Sequence, residues 1–240
     1  QIVDDMFMPR KGNKITRRLR DELGAKDGNI IIGHFGRLVD ICFPDLLLDS
    51  LGVLSEKSGK KITMMFCMTD FHIKQAERNK MYKKLTNYKV NPNVNVVIRT
   101  FPYENAPYAI SACDLTAYNY SDKRVHYTGS MKNLESMSCG VPVIAPDYKA
   151  RIEEFGADYP LFYDHKDILG YGDKAKSERE DIANRLSDNI LKYINLSKYK
   201  KNKIRDNLIL RASNYSLEAG AKRLEEIFLK IKAESQEGAS

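Results

Sequence analysis

The segment Tyr127-Thr-Gly-Ser-Met-Lys-Asn-Leu-Glu-Ser-Met-Ser-Cys-Gly-Val-Pro-Val-Ile-Ala-Pro146 combines a turn, a helix and a strand. Its small residues Thr128-Gly129-Ser130 predict the turn, and 131–139 predicts a helix with one apolar side. Gly140 is the residue type that commonly ends a helix, and the apolar run 141–145 predicts a buried strand. A helix that leads directly into a buried strand is typical of a parallel sheet covered by helices on both faces.

Short apolar strands alternate with helices on both sides of this segment. The other strands are predicted at 29–35, 62–68, 94–100 and 115–118, with a shorter one at 161–163. The other helices are predicted from Pro44, at 72–87, at 108–113 and throughout the chain after about 177. We therefore predict an α/β fold, a doubly wound and mostly parallel Rossmann-like sheet with helices on both faces and a helical C-terminal segment.

The domain organisation follows from these elements. We predict an N-terminal lead-in or interlobe segment at 1–28, a Rossmann-like domain at 29–176, a helical segment at 177–234 and a tail at 235–240. The absence of an initiator Met indicates an excised fragment. Apolar residues recur along the last helix at spacings of four and three, so this face either packs on its own domain or lacks part of its natural cover. They are Leu217, Ala221, Leu224, Phe228 and Ile231.

The composition is that of a soluble globular protein, with 42% hydrophobic and 30% charged residues. No apolar run approaches the ~20 residues that span a bilayer. The four cysteines lie far apart without a C-x-x-C pair, and the four histidines are scattered, so no metal site or disulfide scaffold is indicated. We expect buried reduced thiols, a cytoplasmic location and no metal cofactor.

A net charge of +7 is compatible with nucleic acid, an anionic membrane surface or phosphorylated small molecules as partners. Much of the excess lies at 10–20 and at 198–205. Each stretch is either a solvated helix face or a patch near lipid headgroups, at the inner face of a membrane. The basic residues lack the interleaved aromatic residues of a single-strand platform, so nucleic acid is not the expected partner.

The start of the helix at 131–139 is the predicted anion site. Unpaired backbone N–H groups and the positive end of the helix dipole favour an anion there, near Gly129 and Ser130. Lys132 lies in the first turn, where a cation is disfavoured unless an anion is bound. Glu135 follows on the same helix face and could accept hydrogen bonds from the two hydroxyls of a ribose. The alternative is an exposed Lys132–Glu135 ion pair on a capped helix.

A second feature follows the first strand. Gly36 allows a tight turn, and Arg37 then projects from the ligand edge of the sheet, where its guanidinium could bind a diphosphate. The alternative is a surface arginine paired with Asp40.

Three segments together carry a family resemblance: Gly33–Leu38, Tyr108–Asp114 and Leu134–Ile144. In this order they resemble the donor domain of the group 1 glycosyltransferases, which are mostly retaining enzymes of the GT-B fold. The resemblance covers roughly 33–145. It implies a domain that binds a nucleoside-diphosphate sugar, within an enzyme that transfers a hexose-type sugar to a glycan or lipid acceptor. It also implies that the acceptor-binding N-terminal lobe is missing from this chain.

The resemblance implies roles for individual residues. Arg37 corresponds to the arginine on the donor diphosphate and Glu135 to the glutamate on the ribose, and Lys132 could supply a further phosphate contact. These three are the predicted catalytic residues. The predicted substrate-binding residues are Gly36, Phe101, Tyr127, Thr128, Gly129, Ser130, Met131 and Leu134.

Two positions depart from the family pattern. Cys42 stands where a lysine is expected, and Tyr127 replaces the first glutamate of a paired-glutamate motif. Two alternatives stay open: a nucleotide-sugar epimerase of the same architecture, and a nucleotide-binding module without catalysis, which the two departures favour.

Overall fold

A parallel sheet forms the centre of the molecule. The computed structural model describes residues 3–36, 42–68, 75–88, 91–118 and 129–237. The strands within them are β1 Ile30–Gly36, β2 Ile62–Met68, β3 Val94–Arg99, β4 Leu115–Ala117, β5 Val143–Pro146 and β6 Phe162–Tyr163. Their order is β3-β2-β1-β4-β5-β6, and all neighbouring strands are parallel. The strand order reverses between β1 and β4, and in such sheets ligands bind beyond the carboxyl ends of the strands at that point.

Helices connect the strands and extend the chain beyond the sheet. They are α1 Lys14–Glu22, α2 Pro44–Ser58, α3 Gln75–Asn87, α4 Ala106–Ser111, α5 Met131–Ser138, α6 Lys149–Phe155, α7 His165–Ile168, α8 Lys176–Ile194, α9 Lys198–Ser213 and α10 Leu217–Glu237. Helix α8 packs against α2, and α9 packs against α5 and α6. The helical C-terminal segment therefore contributes to the same core as the sheet.

The core forms because the central strands are mostly apolar and are buried along their length. Every residue of β1 is buried, as expected for a parallel strand covered on both faces. Its register sets Ile30 opposite Ile62, and Ile62 opposite Val94. All four cysteines are buried, and none of them forms a disulfide.

The predicted fold class is confirmed, and the predicted elements differ from the structure mainly at their ends. Helix α4 begins at Ala106, two residues earlier than predicted, because Pro107 occupies a first-turn position where no N–H is needed. Strand β5 begins at Val143 rather than at 141. The amide of Val141 donates to the Ser136 carbonyl at 2.9 Å, and Gly140 has a φ of +68°, so 141–142 belong to the turn that ends α5.

Helix α10 has the predicted apolar face, and the described residues leave it exposed. Leu224 is 54% exposed and Phe228 is 67% exposed. Just before α10, Ser216 forms an isolated parallel bridge with Val3. None of the described helices combines the length and apolar character that a membrane span requires.

Candidate functional site

The candidate site lies at the carboxyl edge of the sheet, where β1 ends and α5 begins. Gly36, the last residue of β1, has a φ of +105°, a conformation that favours glycine. A Cβ atom at Gly36 would lie 3.4 Å from Cε and 3.5 Å from Cγ of Lys132. The backbone of Gly36 therefore lies directly against the aliphatic stem of Lys132.

Lys132 and Glu135 form a bidentate ion pair on one face of α5. Nζ of Lys132 lies 2.8 Å from Oε2 and 3.1 Å from Oε1 of Glu135. The Glu135 side chain is only 3% exposed, whereas that of Lys132 is 29% exposed. Burial raises the pKa of the Glu135 carboxyl, and the charge and hydrogen bond of Lys132 oppose that shift. Lys132 thus covers a carboxylate that would otherwise face the edge of the sheet.

The start of α5 offers two backbone donors. The amides of Met131 and Lys132 have no acceptor among the described residues, as is usual for the first turn of a helix. The amide of Ser130 is already bound, because it donates to Oε1 of Glu154 at 2.7 Å. In this arrangement the Ser130 amide is therefore not free for a ligand, although sequence reasoning assigned it to one.

Glu154 is a buried carboxylate that sequence reasoning did not single out. It lies on α6 and is 3% exposed. Its Oε2 accepts from Asn133 Nδ2 at 3.0 Å and from Arg151 Nη1 at 2.9 Å. Both oxygens are thus bound, and the residue fixes the start of α5 to α6. The i,i+3 spacing of Arg151 and Glu154 could have indicated the ion pair, but no local pattern indicates the contact with Ser130.

Two aromatic residues that follow β3, Phe101 and Tyr103, lie near Lys132 and the end of β2. Burial raises the pKa of the Cys67 thiol to about 11. A backbone hydrogen bond of Phe101 and the charge of Lys132 oppose this shift, so both groups lie near the thiol. Nζ of Lys132 lies 5.7 Å from the centroid of the Tyr103 ring, within range of a cation–π contact. Tyr103 is 51% exposed. Sequence reasoning predicted Phe101 here but missed Tyr103.

The N-terminal segment borders the site as well. The ring of Phe7 packs edge-on against Tyr103, with centroids 5.6 Å apart. The charge of Asp4 helps to raise the pKa of both Glu135 and Tyr103. Residues that sequence reasoning treated as a lead-in therefore contribute to the electrostatics of the site.

The remaining predicted site residues fall into three groups. Arg37, Tyr127 and Thr128 lie outside the described residues. Gly129 and Met131 are half-buried at the start of α5. Leu134 has no exposed surface and belongs to the hydrophobic core, so the structure gives it a packing contact rather than a surface that a ligand can reach.

One group of potential metal ligands occurs among the described residues: Asp147, Asp164 and His165. Asp147 Oδ1 lies 2.7 Å from both the backbone nitrogen and Nδ1 of His165. Asp164 Oδ1 accepts from the amide of Lys166 and caps α7. These contacts give each carboxylate a structural role, and the absence of a metal requirement stays a prediction.

Comparison with known families and structures gives a consistent result. The model of the family described as glycosyl transferases group 1 matches residues 16–203. Comparison with curated proteins finds no match. Among solved structures, the chain is similar to HepE (Alr3699) from Anabaena in complex with UDP-glucose, with 18% identity and a TM-score of 0.63 over 94% of this chain and 55% of that one.

Two further structures share the fold. The trehalose 6-phosphate synthase of Burkholderia multivorans has 9% identity and a TM-score of 0.65, over 96% of this chain and 48% of that one. The sucrose-phosphate synthase of Thermosynechococcus elongatus has 18% identity and a TM-score of 0.61, over 95% and 50% respectively. The chain thus spans about half the length of the solved structures it matches.

Proposed function

The chain belongs to the group 1 glycosyltransferases, and from that premise we propose that its carboxyl-edge site binds the nucleoside diphosphate of a nucleotide-sugar donor. In this proposal the whole protein transfers a hexose-type sugar to a glycan or lipid acceptor held by a second lobe. The reaction takes place in the cytoplasm, at the inner face of a membrane when the acceptor is a lipid. Family membership favours this reaction over the epimerase alternative.

The buried Glu135 carboxylate is the observation that carries the proposal. A carboxylate with 3% exposure and a single cationic partner is costly to keep in a fold. It lies within about one helical turn of the amides of Met131 and Lys132, for which the described residues supply no acceptor. Two carboxylate oxygens suit the two hydroxyls of a ribose, and free helix-start amides suit a phosphate. One ligand that carries both groups is a nucleoside diphosphate.

Lys132 exchanges one anionic partner for another in this proposal. Its Nζ now binds Glu135 at 2.8 Å. A diphosphate at the start of α5 would compete for that ammonium group and leave the Glu135 oxygens to accept from the ribose. During transfer, Lys132 and the amides would stabilise the charge on the departing diphosphate. Arg37 is proposed as a second cation for the same phosphates.

Calorimetry with a panel of nucleotides tests this proposal. We expect UDP, GDP or a related nucleoside diphosphate to bind, and to bind equally well in the presence of EDTA. Glu135→Ala should weaken binding of both the nucleoside and the diphosphate, because the proposed partner of Glu135 is the ribose. No binding of any nucleoside diphosphate would rule the proposal out. Loss of binding on chelation would rule out only its metal-free part.

A binding module without catalysis is the second candidate, and Cys42 is the observation that favours it. This residue stands where the family resemblance implies a lysine, and it is only 2% exposed. The Cys42 side chain therefore belongs to the core and supplies no cation to a ligand at the edge of the sheet. A chain of this kind would bind donor but show neither transfer nor donor hydrolysis in any longer form.

A further inference from the structure

A recessed cavity of about 490 Å³ opens at the edge of the sheet opposite to the candidate site. Its lining includes Ile30 and Leu115, the first residues of β1 and β4, and Val141, which precedes β5. Since the strands are parallel, these residues mark the amino-terminal edge of the sheet. The cavity is thus separated from Gly36 and Lys132 by the length of the strands.

Among the described residues, six cationic side chains and one carboxylate, that of Asp114, line this cavity. Six cations less one carboxylate give a local charge of +5, against +7 for the whole chain. The cationic residues are Lys11, Arg20, Lys60, Lys198, Lys201 and Arg205.

The fold brings together two basic stretches that are far apart in the sequence. One is 10–20, which supplies Lys11 and Arg20, and the other is 198–205 at the start of α9. The first turn of α9 contains no acidic residue. Cations are disfavoured at the positive end of a helix dipole, and they are disfavoured beside one another. Each basic stretch thus directs part of its positive charge to the same cavity.

The single carboxylate is already used within the fold. Oδ1 of Asp114 lies 3.0 Å from Nη2 of Arg20, and its Oδ2 accepts from the Ile31 amide at 3.0 Å. Lys60 and Lys198 have no ion pair among the described residues. Lys201 has none there either, whereas Lys11 shares Asp114 with Arg20 and Arg205 pairs with Asp206 at 3.4 Å. Three of the six cavity cations therefore have no anionic partner in the part of the chain that the structure describes.

Two cations are held in place by specific contacts. A Cβ atom at Gly140 would lie 2.8 Å from Cγ of Arg205, so the stem of Arg205 rests directly on the Gly140 backbone. Nζ of Lys201 donates to the Ile194 carbonyl at 2.6 Å and lies 5.7 Å from the centroid of the Tyr193 ring. Burial lowers the pKa of Lys11, and the charges of Arg20 and Arg205 lower it further against the opposing effect of Asp114.

From this geometry we infer that the cavity binds a phosphate-bearing anion. Its source is either a soluble phosphorylated compound or the headgroup of an anionic phospholipid. The guanidinium of Arg205 and the ammonium groups of Lys60 and Lys198 would supply charge-assisted hydrogen bonds to the phosphate oxygens. This inference does not depend on the proposed function, because it concerns the other edge of the sheet.

Two double variants on one helix test the inference. Lys198→Gln with Arg205→Gln removes two cavity cations, and Lys200→Gln with Lys203→Gln removes two exposed cations of α9 that do not line the cavity. The net charge changes equally, and the carboxyl-edge site is identical in both. Lys60→Gln removes a cavity cation from a different part of the chain and does not alter α9.

Each variant is measured against two probes. Calorimetry with inorganic pyrophosphate reports on soluble phosphates. Co-sedimentation with vesicles of phosphatidylcholine and phosphatidylglycerol, beside vesicles of phosphatidylcholine alone, reports on headgroups. We expect the cavity double variant to lose about tenfold or more in affinity for at least one probe. Lys60→Gln should also bind that probe more weakly than the wild type. The affinity of the control double variant should stay within about twofold of the wild type. A loss with pyrophosphate identifies a soluble ligand, and a loss with vesicles alone identifies a headgroup.

Two results would overturn the inference. One is equal loss in the cavity and control variants, which would mean that dispersed surface charge binds the anion. The other is wild-type protein that binds neither probe.

Discussion

At the scale of single residues, Glu135 is a buried carboxylate whose two oxygens both bind Lys132. Its side chain is 3% exposed, and Lys132 is its one hydrogen-bonding partner among the described residues. Removing a carboxylate from water costs several kcal/mol, which a single pair does not fully offset. Residues of this kind are retained at functional sites at the expense of stability.

The first prediction concerns Glu135→Gln, which keeps the shape of the side chain and removes its charge. Because the pKa of Glu135 is raised in the folded protein, the folded state holds its proton above pH 4.5, where the unfolded chain has lost it. The wild type should therefore lose stability relative to the variant as pH rises from 4.5 through the raised pKa. Urea unfolding at several pH values measures this difference. A difference that is constant with pH would contradict the assignment, as would unchanged nucleotide binding in the variant.

The second prediction concerns Gly36→Ala. The φ of +105° makes the substitution strained, at a cost of about 1–2 kcal/mol of stability. The new Cβ would also press on the Lys132 stem, so we expect weaker nucleotide binding as well. Gly59→Ala is the matched control, because Gly59 has a φ of +65° and nothing within 4 Å of its Cβ position. The control should lose stability and keep its affinity, and equal affinities in the two variants would refute the role of Gly36.

At this scale the sequence predicted which side chains meet, but not how they are bound. Helical spacing put Lys132 and Glu135 on one face, and the structure shows both the pair and their position at the sheet edge. The burial of Glu135 could not be predicted, since it depends on the packing of α5 beneath the ends of the strands. Tyr103 and Glu154 were missed because their contacts join elements distant in the sequence.

At the scale of elements, the start of α5 is held by side chains of α6. Glu154 accepts from the Ser130 amide at 2.7 Å and from Arg151 at 2.9 Å. The side chains of Arg151 and Glu154 are 6% and 4% exposed. Because the start of α5 is fixed in this way, the amides of Met131 and Lys132 could bind a ligand without a rearrangement of the backbone.

The third prediction tests this connection between α5 and α6. Glu154→Ala leaves the buried guanidinium of Arg151 without its partner, so we expect a loss of about 3–5 kcal/mol in the free energy of unfolding. Glu153→Ala, at the exposed neighbouring position, should change stability by no more than about 0.5 kcal/mol. Chemical denaturation measures both variants. Equal stability of the two would show that Glu154 does not hold the helix start.

Strand and helix order followed from the sequence, because each strand is a short and mostly apolar run. The end of α5 was less predictable, since 141–142 are apolar yet belong to the turn after Gly140. The apolar spacing of α10 predicted a face but not its surroundings, which depend on distant parts of the fold. The sequence likewise showed the two basic stretches without showing that they meet in one cavity.

At the scale of the whole molecule, the described residues form one sheet with the candidate site at one edge and the basic cavity at the other. The solved structures that share this fold are about twice as long. Holding two substrates together in a closed cleft can supply ~7–11 kcal/mol of the reaction barrier.

The fourth prediction follows from that advantage. We expect the 240-residue chain to bind donor and yet transfer sugar poorly by itself. A transfer assay with labelled donors and glycan or lipid acceptors measures this, beside the same chain joined to an acceptor-binding lobe. Equal turnover by the two proteins would show that this domain catalyses transfer without a second lobe.

The central claim is that a nucleoside diphosphate binds where β1 ends and α5 begins. Amide-resolved NMR of the isotope-labelled chain during titration with UDP or GDP tests it most directly, because each amide reports its own position. We predict that the largest shifts occur at Gly36, Met131 and Lys132, and that Glu135→Gln reduces them at every nucleotide concentration. Shifts confined to the amino-terminal edge, at Ile30, Leu115 and Val141, would contradict the claim.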